Sequence, residues 1–160
     1  MGLLHLLDEL GLIIGVRSGD GQCFGPGSQF LGLVSFLGCS PRAVLDAGRS
    51  EDGQPACFVR LHQYPDVRFM ADMRSLRVRC PQCRTAVTAV DTDAHDASFT
   101  CSDCAGTIAV SQLDWRQSAG FGRCFLEIGS IHPHEAVPSD GLLLRLREYS
   151  GTGWRYFYAD

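Results

Sequence analysis

The 160-residue chain contains no lysine and no asparagine, so all 14 of its basic side chains are arginine. Codons for both missing residues begin with AA, so the expectation is a GC-rich genome, of a bacterial kind, rather than selection for guanidinium chemistry. Arginine clusters therefore carry less weight here than they would in a chain that also used lysine. A phosphate loop of the GxxxxGK(S/T) kind is excluded, because it needs the lysine. Long apolar runs are also missing. The longest, FLGLVSFLGC, is about half of the roughly 20 residues that span a bilayer, and no membrane association is expected. The opening stretch, MGLLHLLDELGLIIGV, has no basic n-region and no small-residue cleavage site, and it carries Asp8 and Glu9 in its middle. It does not read as a secretory signal. Leu6 stands where myristoylation prefers Ser or Thr. A soluble, cytoplasmic protein is the expectation.

Positive charge is scarce as well. A formal net charge of -4 disfavours a protein that coats nucleic acid non-specifically, since that affinity comes from basic side chains neutralising phosphates. What the chain does have is a globular balance, 45% hydrophobic against 20% charged, enough for one cored domain with a small appendage.

It also has eight cysteines. In a reducing cytosol four disulfides are improbable. Four of the cysteines instead form CPQC and CSDC, Cys80, Cys83, Cys101 and Cys104, with 17 residues between the pairs, a spacing read as a zinc site. Each C-x2-C pair sits on a tight turn that brings two thiolates to one side. Two such turns complete a tetrahedral shell with metal–sulfur bonds of about 2.3 Å. The flanks suit hairpins. In SLRVR, Leu76 and Val78 alternate with Arg77 and Arg79, TAVTAV is rich in β-branched residues, and ASFT and GTIAV bracket the second turn.

Over residues 75–112 this order, strand, turn, strand, loop, strand, turn, strand, resembles the zinc-ribbon class. The resemblance implies structural zinc, and a closed four-thiolate shell leaves no open position for substrate. Iron is the alternative, because rubredoxin-like sites use the same four ligands. CPQC has their proline, but Arg84 replaces the glycine that follows it, and CSDC has neither.

The flanking segments share an order of elements. FLGLVSFLG reads as a strand, Ser40 and Pro41 as the cap and first position of a helix to Ala47, Gly48 as its end, and CFVRLH as a strand. Later, CFLEIGSI reads as a strand, Ser139 caps a helix through about Tyr149, SGTG breaks it, and WRYFY closes as a strand. Leu3, Leu4, Leu7 and Leu10 predict an N-terminal helix, followed by the strand LIIGV. The expected fold is α+β: a ferredoxin-like βαββαβ body, residues 1–74 and 113–160, with a zinc ribbon inserted at 75–112.

Other candidates are weaker. On an extended segment His132 and His134 point to one side with Glu135 nearby, a second metal site in outline, against the plainer reading of a polar loop. Arg77, Arg79 and Arg84 make the first hairpin basic, but it lacks interleaved aromatics for stacking bases. Asp91, Asp93, His95 and Asp96 read as an exposed acidic connection. Cys23, Cys39, Cys57 and Cys124 show no mutual metal spacing and read as packed thiols. Cys23, within GDGQCFGPGS, has no spacing that singles out a histidine base. No catalytic constellation stands out. The sequence points to a non-enzymatic zinc-binding accessory module that engages a protein partner during assembly of a metalloenzyme or a multisubunit complex. Nucleic-acid binding through the three arginines and metal handling by the His-x-His stretch are the alternatives.

Overall fold

The computed structural model describes residues 2–16, 22–37, 44–45, 55–74, 76–92, 96–132 and 134–159. It is α+β. Helix α1 (Leu3–Glu9) buries Leu3, Leu6 and Leu7, the single stripe that its leucine spacing dictates. It is followed by strands β1 (Ile13–Val16) and β2 (Cys23–Pro26), the short helix α2 (Phe30–Leu33), β3 (Val34–Phe36) and β4 (Phe58–Ala71). Then come β5 (Ser98–Thr100), β6 (Thr107–Ala109), a 3-10 turn (Val110–Gln112), β7 (Ala119–Gly129), β8 (Ala136–Pro138) and α3 (Asp140–Ser150).

A four-stranded sheet runs in the order β1-β2-β4-β7, and β3-β8 and β5-β6 form two-stranded sheets. The pairs β1/β2, β2/β4, β3/β8 and β5/β6 are antiparallel. Strand β7 runs opposite to β4 too. Gly129 lies beneath Phe58, Glu127 is 2.7 Å from His62, and Phe121 stacks near Phe69, so rising numbers on one strand meet falling numbers on the other.

This topology corrects the ferredoxin-like reading. A split βαβ arrangement sets a strand from later in the chain between the two parallel strands that a helix joins, whereas the four strands here lie in chain order, β1-β2-β4-β7, with none interleaved. The α+β class itself holds. FLGLVSFLG is not one strand, because its first half is α2. Phe30 and Val34 are 1% exposed and Leu31 is 60% exposed, the i, i+4 pattern of a helical turn, which a short apolar run does not distinguish from a strand. WRYFY forms no strand. Tyr158 N–H donates to Gln117 O at 2.9 Å, and aromatic packing helps hold the segment, with Phe157 against Gly120 and Tyr156 edge-on to Tyr158. The helix expected from Ser40 to Ala47 lies almost wholly outside the described residues, as do Cys39, Asp93 and His95.

Contacts divide the chain into two units, Met1–Gln63 with Cys124–Arg155, and Tyr64–Arg123 with Tyr156–Asp160. The first has a core of Leu7, Leu12, Phe30, Val59, Leu61 and Leu142. Burying each such side chain contributes roughly 1.5–3 kcal/mol. The second has its own smaller core, in which Trp115 packs against Phe69 and Phe121 at ring separations of 5.2 and 5.4 Å and Val78, Val110 and Leu113 are buried. The Trp115 indole N–H donates to Val110 O at 3.2 Å, so the ring's polar atom is satisfied where it is buried.

Candidate metal centre

The second unit carries the four-cysteine stretch, and the two C-x2-C turns are built alike. In the first, Cys80 N–H donates to Thr85 O at 2.9 Å and Arg84 N–H to Cys80 O at 2.8 Å. In the second, Cys101 N–H donates to Gly106 O at 3.0 Å and Ala105 N–H to Cys101 O at 2.9 Å. Arg84 (φ 65°) and Ala105 (φ 56°) both adopt the left-handed conformation. That reversal lets each turn fold back under its own cysteines.

The strands around the turns differ. Strands β5 and β6 pair Ser98 with Ala109, Phe99 with Ile108 and Thr100 with Thr107, the hairpin expected around CSDC. Around CPQC, pairing is reduced to a bridge between Arg79 and Ala86, closed beyond it by Val87 N–H to Val78 O at 2.9 Å. The expected SLRVR and TAVTAV strands do not form, because the first arm turns its hydrogen bonds elsewhere. Arg79 pairs with Asp114, and Arg77 N–H donates to Ser118 Oγ at 3.1 Å.

Side chains tie the turns together. Thr85 Oγ1 donates to Asp103 Oδ2 at 2.8 Å, and Ser102 Oγ donates to Asp103 Oδ1 at 3.1 Å. Gln82 lies so close over Gly106 that a β-carbon there would collide with its carboxamide. A side chain at 106 would have to push the exposed Gln82 carboxamide aside. None of Gln82, Thr85, Asp103 or Gly106 belongs to a recognisable ligand pattern, and the only hint in the sequence is their place beside the cysteines.

The four sulfurs converge. All lie within 4.8 Å of one another, with Cys80 Sγ to Cys104 Sγ at 3.8 Å and Cys83 Sγ to Cys101 Sγ at 3.6 Å. Metal–sulfur bonds of about 2.3 Å in a tetrahedron put neighbouring sulfurs about 3.8 Å apart. The distances therefore fit a single four-coordinate ion, and the cysteines are free thiols rather than disulfides. Cys80 and Cys101 are buried, while Cys83 and Cys104 face solvent.

Their acidities diverge as the crowding demands. The Thr85 backbone N–H pulls Cys83 down to about 6. The Gly106 N–H acts downward on Cys104, but desolvation and the neighbouring Cys83, Cys101 and Cys80 outweigh it and push Cys104 up to about 12. Like charges this close oppose joint ionisation. A bound dication removes that opposition, and thiolate is the form that ligates metal.

Other residues singled out from the sequence are not gathered in this way. His132 and Glu135 form a turn, with Glu135 N–H donating to His132 O at 3.1 Å and His132 N–H to Glu135 Oε2 at 3.3 Å. His134 has φ 63°, so the alternation that would set both imidazoles on one side is broken. Among the described residues the four cysteines are the one group of at least three His, Cys, Asp or Glu side chains with converging ligand atoms. Arg77, Arg79 and Arg84 are exposed on the second unit, as are Asp91 and Asp96. Cys23 and Cys57 are buried in the first unit and Cys124 is half-buried, where burial pushes its thiol up. Cys23 sits in strand β2, not on an exposed turn where a nucleophile would be presented.

No helix among the described residues is long and apolar enough to cross a membrane. No protein-family model matches the chain, and comparisons with curated proteins and with solved structures return no significant match.

Proposed function

We propose that this protein binds one zinc ion through Cys80, Cys83, Cys101 and Cys104, that the ion is structural, and that the module it holds serves as an accessory surface for a protein partner. The observation that carries the reading is the convergence of four sulfurs at tetrahedral spacing. All four positions are taken by protein ligands, so the ion's chemistry is confined to holding the two turns together. Zinc is favoured over iron by the non-glycine residues Arg84 and Ala105 after the turns, a departure from the rubredoxin pattern. A protein partner is favoured over nucleic acid by the net charge of -4.

The test is metal analysis of purified protein with the corresponding serine variants. One zinc per chain, a colourless protein and loss of the ion in Cys80→Ser and Cys101→Ser are expected. A red protein carrying iron would replace the metal in this reading. Retention of zinc by both serine variants would remove the site altogether.

A further inference from the structure

Each exposed cysteine of the metal centre is matched with a buried cysteine of the opposite turn. Cys83, from the first turn, is exposed and lies 3.6 Å, sulfur to sulfur, from buried Cys101 of the second. Cys104, from the second turn, is exposed and lies 3.8 Å from buried Cys80 of the first. A disulfide needs an S–S distance of about 2.05 Å, so either pair joins by a movement of less than ~2 Å. The other described cysteines offer no exposed thiol, since Cys23 and Cys57 are buried and Cys124 is half-buried.

Thiolate character and exposure decide which cysteines oxidise. Four thiolates around one dication leave excess negative charge on sulfur, so ligation does not by itself quench the nucleophile. The two exposed sulfurs differ in their surroundings. Gln82 Oε1 stands 3.8 Å from Cys104 Sγ, and its lone pairs repel an incoming peroxide oxygen. Cys83 is therefore the sulfur that an oxidant meets on better terms.

We infer that Cys83 is a modification site for hydroperoxides with Cys101 as its resolving partner, so that oxidation exchanges the metal tie between the two turns for a covalent one. The Cys83 thiolate attacks one peroxide oxygen. An S–O bond forms, the O–O bond breaks and hydroxide leaves, which gives a sulfenic acid. The Cys101 thiolate then attacks the Cys83 sulfur. The S–S bond forms, the S–O bond breaks and a second hydroxide leaves, each hydroxide taking a proton from water. Two thiolates have lost two electrons and the peroxide has gained them. Cys80 and Cys104 alone do not make a four-coordinate shell, and the ion departs. A dithiol reductant reverses the change by exchange. This inference deepens the zinc reading above and rests on it.

The experiment uses the full chain, purified under reducing conditions, freed of reductant and assayed for zinc before any oxidant is added. Hydrogen peroxide is then supplied at ~10-fold molar excess. Zinc release is followed with a chromophoric chelator, and disulfides are mapped by mass spectrometry of the unreduced digest. The first linkage should be Cys83 to Cys101, with one zinc ion released for each linkage formed. Cys83 should be consumed at least ~10-fold faster than Cys23 or Cys57. Dithiothreitol with added zinc should restore both thiols and metal. Gln82→Ala, which changes no ligand, should retain zinc and raise the share of the Cys80 to Cys104 linkage at least ~2-fold.

Four intact thiols and retained zinc under this excess would overturn the inference while leaving the proposed function standing. So would first linkages formed within a turn, Cys80 to Cys83 or Cys101 to Cys104, or a first linkage of Cys80 to Cys104 in the parent chain. An unchanged ratio of linkages in Gln82→Ala would overturn the reason given for Cys83 reacting first. A reduced protein that carries no zinc before oxidant is added would overturn the proposed function, and this inference with it.

Discussion

At the level of single residues, the four metal-site cysteines are readable from spacing alone, because C-x2-C on a turn fixes where two sulfurs go whatever surrounds them. The two left-handed positions are not. Arg84 and Ala105 give no sign of positive φ in the sequence, since glycine is the residue that announces it. Holding an L-residue in that conformation costs about 1–2 kcal/mol, of which glycine's greater freedom in the unfolded chain returns roughly 0.5–1 kcal/mol. Ala105→Gly should therefore leave the metal-loaded protein unchanged or more stable by up to about 1 kcal/mol, and Ala105→Val should be clearly destabilising. Urea titrations of the three proteins decide the matter, and a glycine variant that unfolds earlier than the parent would count against the strained-turn account. The residues that clasp the turns, Thr85, Asp103 and Gln82, are invisible in advance for another reason. Their roles depend on two segments meeting, and spacing within one segment carries no information about that.

Among the elements, legibility follows the strength of local signals. Helix α3 shows both of its ends in the sequence. Ser139 Oγ accepts from Leu142 N–H at 3.2 Å, and Gly151, at φ 71°, ends the helix in the left-handed conformation. Ser139→Ala should cost about 1 kcal/mol by leaving a first-turn N–H without its partner, seen as a lower thermal midpoint, whereas Ser139→Asp should retain the parent value. An unchanged midpoint for the alanine variant would mean that the cap bond is dispensable. Helix α2 and the closing aromatic segment carry no such signals. Phe30–Leu33 is one helical turn without a side-chain cap, and Tyr156 to Tyr158 is held by ring packing that no periodicity encodes. The first hairpin fails for a third reason. Its sequence is a good strand, but its partner arm bonds to Asp114 and Ser118 instead, an outcome of tertiary competition rather than propensity.

For the whole molecule, the α+β class was accessible from the mixture of helical and alternating patterns, while the sheet order was not, because strand partners depend on long-range pairing. The second unit's separate apolar core around Trp115 changes what metal removal should do. A module with no core of its own unfolds when its ion leaves. Here chelation should strip amide protection from residues 79–86 and 99–108 while leaving it near Trp115 and Phe121 and throughout Val59 and Leu61. Hydrogen exchange before and after a chelator measures this directly. Collapse of protection in the first unit together with the turns would show that the ion holds up far more than its own neighbourhood. The boundary between units falls inside β4 and inside β7, at Gln63/Tyr64 and Cys124, and these strands are antiparallel neighbours. Residues 64–123 thus form one continuous stretch of the second unit, which the last residues, Tyr156–Asp160, rejoin. A shortened chain that joins Gln63 to Cys124 through a two-residue reverse turn and stops at Arg155 would make the rest of β4 and β7 an ordinary hairpin, and the metal-binding half becomes a cassette that travels only together with the closing aromatic segment.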